Sequence, residues 1–83
     1  MKVSVRYFAS IREAIGQGSE AVETAAITLG ALRDELIARG GDYASSLARG
    51  RAVRMALNQT LSDESATLAD GAEVAFFPPV TGG

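Results

Sequence analysis

Few side chains in this sequence can do covalent or acid–base chemistry on their own. Among its 83 residues there is no cysteine and no histidine. That removes the thiolate nucleophile, the disulfide, the cysteine-ligated metal site and the commonest general base. A hydrolase triad, a cysteine sulfurtransferase site and a zinc deaminase site are therefore excluded within this chain. Glu20 with Glu23, and Asp63 with Glu64, are carboxylate pairs with no metal ligand or pocket signal beside them, so they read as solvated surface. Arg12-Glu13 reads as a surface ion pair, and Arg49, Arg51 and Arg54 as a solvated strand edge. What remains is a backbone end group. The sequence closes on Thr81-Gly82-Gly83. Two glycines have no Cβ and pass through a slot too narrow for any side chain. Their carboxylate is a poor electrophile until another enzyme converts it to an acyl-adenylate. No nucleotide-binding glycine loop is present, so ATP chemistry falls to a partner.

A body must carry that end. Residues 2–8 alternate, with Val3, Val5 and Tyr7 on one side and Lys2, Ser4, Arg6 and Phe8 on the other, which predicts a half-buried strand. Ser10 to Ile15 predicts a helical turn closed by Gly16. Ser19 to Thr24 predicts a second strand with Ala21 inward, paired to the first as a hairpin. Thr28 is the expected N-cap of a helix whose apolar stripe is Leu29, Leu32, Leu36 and Ile37, with Arg33, Asp34 and Arg39 off it. Gly40-Gly41 ends that helix, and Asp42 to Ala48 reads as one irregular turn that covers the core with Tyr43 and Leu47. Val53, Met55 and Leu57 predict a third strand, Asn58-Gln59 and Asp70-Gly71 turns, and Val74 to Phe77 the last strand, ended by Pro78-Pro79.

The order is strand, strand, helix, strand, strand. It predicts an α+β fold with one main helix packed on one face of a sheet. If the last strand lies beside the first, the fold is a β-grasp with a mixed sheet; other small α+β sheets share the order. Residues 1–78 form the expected domain and 79–83 an extended Gly-Gly tail. Glu73, Ala75 and Phe77 share the outward side of the last strand, as Phe8 shares the outward side of the first. Neighbouring strands would then make Phe8 and Phe77 an exposed apolar patch at the root of the tail, unless the bend near Leu61 covers it. Lys and Arg number 8 against 10 Asp and Glu, a net charge of −2 that argues against nucleic acid. No apolar run approaches the ~20 residues of a membrane span, and the opening residues read as a strand and not a signal peptide, so the expected setting is cytoplasmic.

The stretches Leu57-Asn58-Gln59-Thr60-Leu61 and Leu68 to Gly83, ending Phe76-Phe77-Pro78-Pro79-Val80-Thr81-Gly82-Gly83, resemble the MoaD family of small, sulfur-carrying subunits of molybdopterin synthase. Val5-Arg6-Tyr7-Phe8-Ala9 and Ile11-Arg12-Glu13 resemble it too. The resemblance implies the ubiquitin-like β-grasp. It implies that Gly83 is adenylated by a MoeB-type adenylyltransferase with Mg-ATP, thiocarboxylated through a sulfur-donor system, and inserted into a MoaE-type large subunit. There it would donate sulfur to cyclic pyranopterin monophosphate to build the molybdopterin dithiolene. The assembly implied is a heterotetramer of two small and two large subunits. The tail residues Pro79, Val80, Thr81 and Gly82 would insert, Phe8, Leu61 and Phe77 would form the partner interface, and Arg12 would contact partners. No cofactor or metal bound by this chain is implied, nor an active site of its own. A thiazole-type carrier, a ubiquitin-like protein modifier and a plain interaction domain are the alternative readings.

Overall fold

The computed structural model describes residues 1–79. The tail residues Val80, Thr81, Gly82 and Gly83 expected to insert into a partner lie outside the described residues. Eight elements follow in order: β1 (Lys2–Tyr7), α1 (Ala9–Ile15), β2 (Ser19–Glu23), α2 (Leu29–Ile37), α3 (Gly41–Leu47), β3 (Arg54–Leu57), β4 (Thr60–Ser62) and β5 (Glu73–Phe77).

The strands make one five-stranded sheet in the order β2-β1-β5-β3-β4. β1 and β5 are parallel at its centre, and every other pair is antiparallel. The last strand therefore does lie beside the first, which completes the β-grasp. Alternation on the two central strands decides the faces. Val3, Val5, Tyr7, Val74 and Phe76 are fully buried on the inner face. Leu29, Leu32 and Leu36 of α2 and Leu47 of α3 close over them with no exposed surface. The Thr28 hydroxyl accepts from the Ala31 amide at 3.2 Å and so starts α2 as expected.

Four local readings are corrected. In β2, Val22 is buried and Ala21 is exposed. The antiparallel register sets Val22 opposite Val3 and Ala21 opposite Ser4, and directly opposed residues share a face. The same parity turns Glu20 toward the inner side, opposite Val5. Residues 41–47 form a regular helix, because Gly40 and Gly41, both at positive φ, redirect the chain into a new helix rather than into coil. That helix packs against α1 and α2. The segment after Asn58-Gln59 is a strand: both turn residues take positive φ (49° and 69°), as a two-residue hairpin turn requires, and β4 folds back on β3. Finally, Arg33 is not a solvent-facing residue but only 4% exposed. Its Nε donates to the Leu47 carbonyl at 2.7 Å and its Nη2 to the Ala48 carbonyl at 3.0 Å, so it caps the end of α3. No helix among the described residues is long and apolar enough to cross a membrane.

Candidate functional site

The outer face of the sheet carries the candidate site. Tyr7 and Phe76 are register partners on the inner face, and their rings stack at 6.2 Å between centroids. Strand alternation then sends the next residue of each chain, Phe8 and Phe77, to the outer side. The Phe8 amide donates to the Phe76 carbonyl at 3.1 Å, which carries the parallel pairing up to Phe8 itself. Phe8 and Phe77 line one groove together with Arg6, Gln59, Ala75, Pro78 and Pro79. The last described residues of the chain thus form a wall of this groove. Phe8 is 41% exposed, and no loop of the described chain covers it.

Leu61 is also exposed, at 63%. It stands opposite Ala56, which stands opposite Ala75, which stands opposite Arg6. Leu61 therefore shares the outer face but lies two strands from Phe77, roughly 10 Å across the sheet. Arg12 lies on α1 beside Gly16 and Gly18, in a neighbouring hollow that shares only Ala9 with the groove. The structure thus joins Phe8 and Phe77 directly, sets Leu61 on the same face, and puts Arg12 at the margin.

Arg6 is a groove residue that residue type alone does not single out. Its guanidinium carbon sits 5.5 Å from the Phe8 ring centroid, a cation–π contact. The signal was available: residues two apart in a strand share a side. Gln59 and Ala75 carry no comparable signal, because they reach the groove only through the β5–β3 register and the hairpin turn.

The carboxylates read as bland surface divide. Glu20 is a hub. Its Oε2 accepts from Tyr7 at 2.8 Å and Tyr43 at 2.7 Å, and its Oε1 from Arg39 at 2.9 Å. Burial raises its pKa, but donation by Tyr43, Arg39 and Tyr7 outweighs that and holds the carboxyl below the usual range. The Tyr7 phenol is pushed far up, by burial first and then by its bond to Glu20. Glu64 is held below its usual range, chiefly by hydrogen bonds from Arg49 and against some burial. Arg49 also pairs with Asp34 and donates to the Gly30 carbonyl, so the expected Arg49, Arg51 and Arg54 cluster is split. Glu23 faces solvent beside Lys2, and Asp63 accepts from Ser65. Among the described residues no group of three or more acidic side chains could hold a metal ion.

A mixed sheet grasping a helix, with an exposed aromatic groove where the chain leaves its central strand, defines a ubiquitin-like β-grasp protein. The ThiS family model matches residues 5–83. This chain belongs to the ThiS family. The molybdopterin synthase sulfur carrier subunit of Escherichia coli is 42% identical to it over 81 residues, covering 98% of this chain and 99% of that one. In the solved complex of subunits 1 and 2 of the molybdopterin-converting factor from Helicobacter pylori, one chain matches with a TM-score of 0.71 and 30% identity, over 100% of both chains. SAMP1 of Haloferax volcanii superposes with a TM-score of 0.78 over the whole of both chains, but at 22% identity, which speaks for the fold alone.

Proposed function

We propose that this chain is the sulfur-carrier subunit of a molybdopterin synthase. The observation that carries the reading is the Phe8–Phe77 groove, walled by Pro78 and Pro79, on a chain 42% identical to a carrier of that name. An aromatic groove at the root of the C-terminal segment lets a partner grip the body while the segment enters its active site.

The chemistry assigned to Gly83 runs in three steps. A MoeB-type adenylyltransferase uses Mg-ATP to join the Gly83 carboxylate to AMP, releasing pyrophosphate. A sulfur-donor system supplies a nucleophilic sulfur that displaces AMP and leaves a thiocarboxylate. A MoaE-type large subunit, in a heterotetramer of two small and two large subunits, accepts the tail through Pro79, Val80, Thr81 and Gly82. There the thiocarboxylate gives its sulfur to cyclic pyranopterin monophosphate, towards the dithiolene of molybdopterin. Phe8, Leu61 and Phe77 form the interface, with Arg12 at its edge. This chain contributes the end group and the grip, and the enzymes around it, in the cytoplasm, contribute the catalysis.

The test is an intact mass after incubation with a MoeB-type enzyme, Mg-ATP and a sulfur donor, beside a chain lacking Gly83. A gain equal to one sulfur replacing one oxygen, absent in the shortened chain, is the expected result. No gain with an enzyme that demonstrably thiocarboxylates another carrier would sink the reading. Covalent conjugates to lysines of other proteins would favour the modifier reading instead.

A further inference from the structure

Two described residues that are neither glycine nor asparagine take positive φ, Ala9 at 52° and Gln59 at 69°. The left-handed region crowds a Cβ against the following carbonyl, so glycine would suit either position better. The chain does use glycine for that geometry at Gly16, Gly40, Gly41 and Gly71. Ala9 and Gln59 both line the Phe8–Phe77 groove. Backbone strain among the described residues therefore gathers at the groove, and strain of this kind concentrates at functional sites.

Gln59 is the second residue of the two-residue turn that joins β3 to β4, flanked by the Leu57–Thr60 pair. Asn58, at the first position, tolerates positive φ and ties the turn to β5. Its amide donates to the Glu73 carbonyl at 2.8 Å, and its Oδ1 accepts from the Glu73 amide at 3.0 Å. Such a turn most favours glycine next. Glutamine stands there instead, exposed, and its side-chain amide makes no hydrogen bond to any described residue. No bond within the described chain offsets its backbone cost. The other polar side chains lining the groove are charged: Arg6, which lies over the Phe8 ring, and Glu73. Gln59 is thus the one neutral polar group among the described residues of the groove, and it sits on a turn pinned to β5.

We propose that Gln59 is a specificity-determining residue of the docking interface: its side-chain amide pairs with the main-chain N–H and carbonyl of one extended residue of the large subunit, donating one hydrogen bond and accepting one. The inference rests on the carrier reading above and names a contact within it. A primary amide presents a donor and an acceptor side by side, and one residue of an extended strand presents the complementary pair on one edge. The amide carries no charge that burial would penalise. Apolar contact through Phe8 and Phe77 has no direction of its own. A two-bond contact beside it fixes how the partner's chain crosses the groove, because a partner placed otherwise buries the amide unpaired.

The experiment sets a thermal melt of the full chain beside calorimetric titration with the large subunit of the same organism, for the wild type, Gln59→Gly and Gln59→Met. Gln59→Gly suits the turn better and should melt higher, by about 2–5 °C. It should nevertheless bind about tenfold more weakly, having lost both hydrogen bonds. Gln59→Met keeps the side-chain length and the backbone cost, so its melt should match that of the wild type. Its binding should weaken at least as much, because the partner's N–H and carbonyl are then buried unpaired. A purely structural residue would move stability and affinity in the same direction. Binding within about twofold of the wild type in either variant overturns the inference while leaving the carrier reading intact. So does a Gln59→Gly melt no higher than that of the wild type, since the turn would then hold no strain to explain. Failure of the wild type to bind the large subunit at all overturns the inference and the docking together, and the mass test above then says whether the carrier chemistry itself survives.

Discussion

Tyr7 and Phe76 stand opposite each other in the parallel β1–β5 pair and stack at 6.2 Å on the inner face of the sheet. Both are essentially without solvent exposure. Because side chains alternate, anchoring these two rings inside obliges Phe8 and Phe77 to point out. The core thus dictates the groove: the same register that fills the interior creates the exposed aromatic pair.

Phe8→Ala should therefore separate binding from stability. Phe8 is exposed, and its tie to Phe76 runs through the backbone, which the substitution keeps. The melting transition should shift by no more than about 0.5 kcal/mol. Affinity for the large subunit should fall by about 2 kcal/mol, some thirtyfold, as for a central aromatic anchor. Calorimetric titration beside a thermal melt reads both. An unchanged affinity would remove Phe8 from the interface.

Arg33→Met should be strongly destabilising although no groove residue is touched. It removes two donors, leaving the Leu47 carbonyl without its side-chain partner at a buried helix end while the Ala48 carbonyl keeps the Arg51 amide, and it leaves a buried site shaped for a guanidinium. The expected cost is about 2–3 kcal/mol, or roughly 8–20 °C in melting temperature for a domain of this size. Arg33→Lys should recover only part of it, since a single ammonium does not reproduce the fork.

Gly30→Ala should destabilise, against the usual sign inside a helix. Alanine ordinarily gains about 1 kcal/mol over glycine there. Here a Cβ would come within 2.8 Å of Glu64 Oε1 and 3.0 Å of Glu64 Cβ. Glu64 must move and loosen its bonds to Arg49 and Arg33. A net loss of about 1–2 kcal/mol in denaturant unfolding is expected. A stabilised variant would show that Glu64 yields at no cost.

Glu20 should set part of the acid limb of stability. Burial works against its charged form, but Tyr43, Arg39 and Tyr7 prevail and hold its folded-state value below the ordinary one. The carboxylate therefore adds stability that is fully present above the unfolded value of about 4.3 and is lost as pH falls through the lowered folded value. Glu64 is lowered as well and contributes in the same window. Glu20→Gln should flatten the fall in stability below about pH 4.5 and cost about 1–2 kcal/mol at neutral pH. Chemical denaturation at a series of pH values reads the slope, and an unchanged slope would show that Glu20 is not a contributor.

Much of this molecule was legible in one dimension. Val3, Val5 and Tyr7 alternate, Leu29, Leu32 and Leu36 recur at helical spacing, and these patterns report burial because strands and helices repeat at fixed periods. Phe8 and Phe77 were legible as outward residues for the same reason. Ala21 and Val22 were exchanged because a short strand with two small apolar neighbours has no parity signal until its register with β1 is fixed. Arg33 sits next to an apolar stripe, and only the arrival of α3's terminal carbonyls makes a buried guanidinium tolerable. Glu20 likewise gains its donors from β1, α3 and the segment after α2, none of which sequence proximity brings together.

The sequence by itself determined the central strands, the main helix and the inward and outward sides of those strands, because these depend on local period and on residue type. The tertiary structure alone decided that β5 lies parallel to β1 and that Leu61 shares a face with Phe77 across two strands. Those are relations between distant segments, and they are set by which strand edges pair.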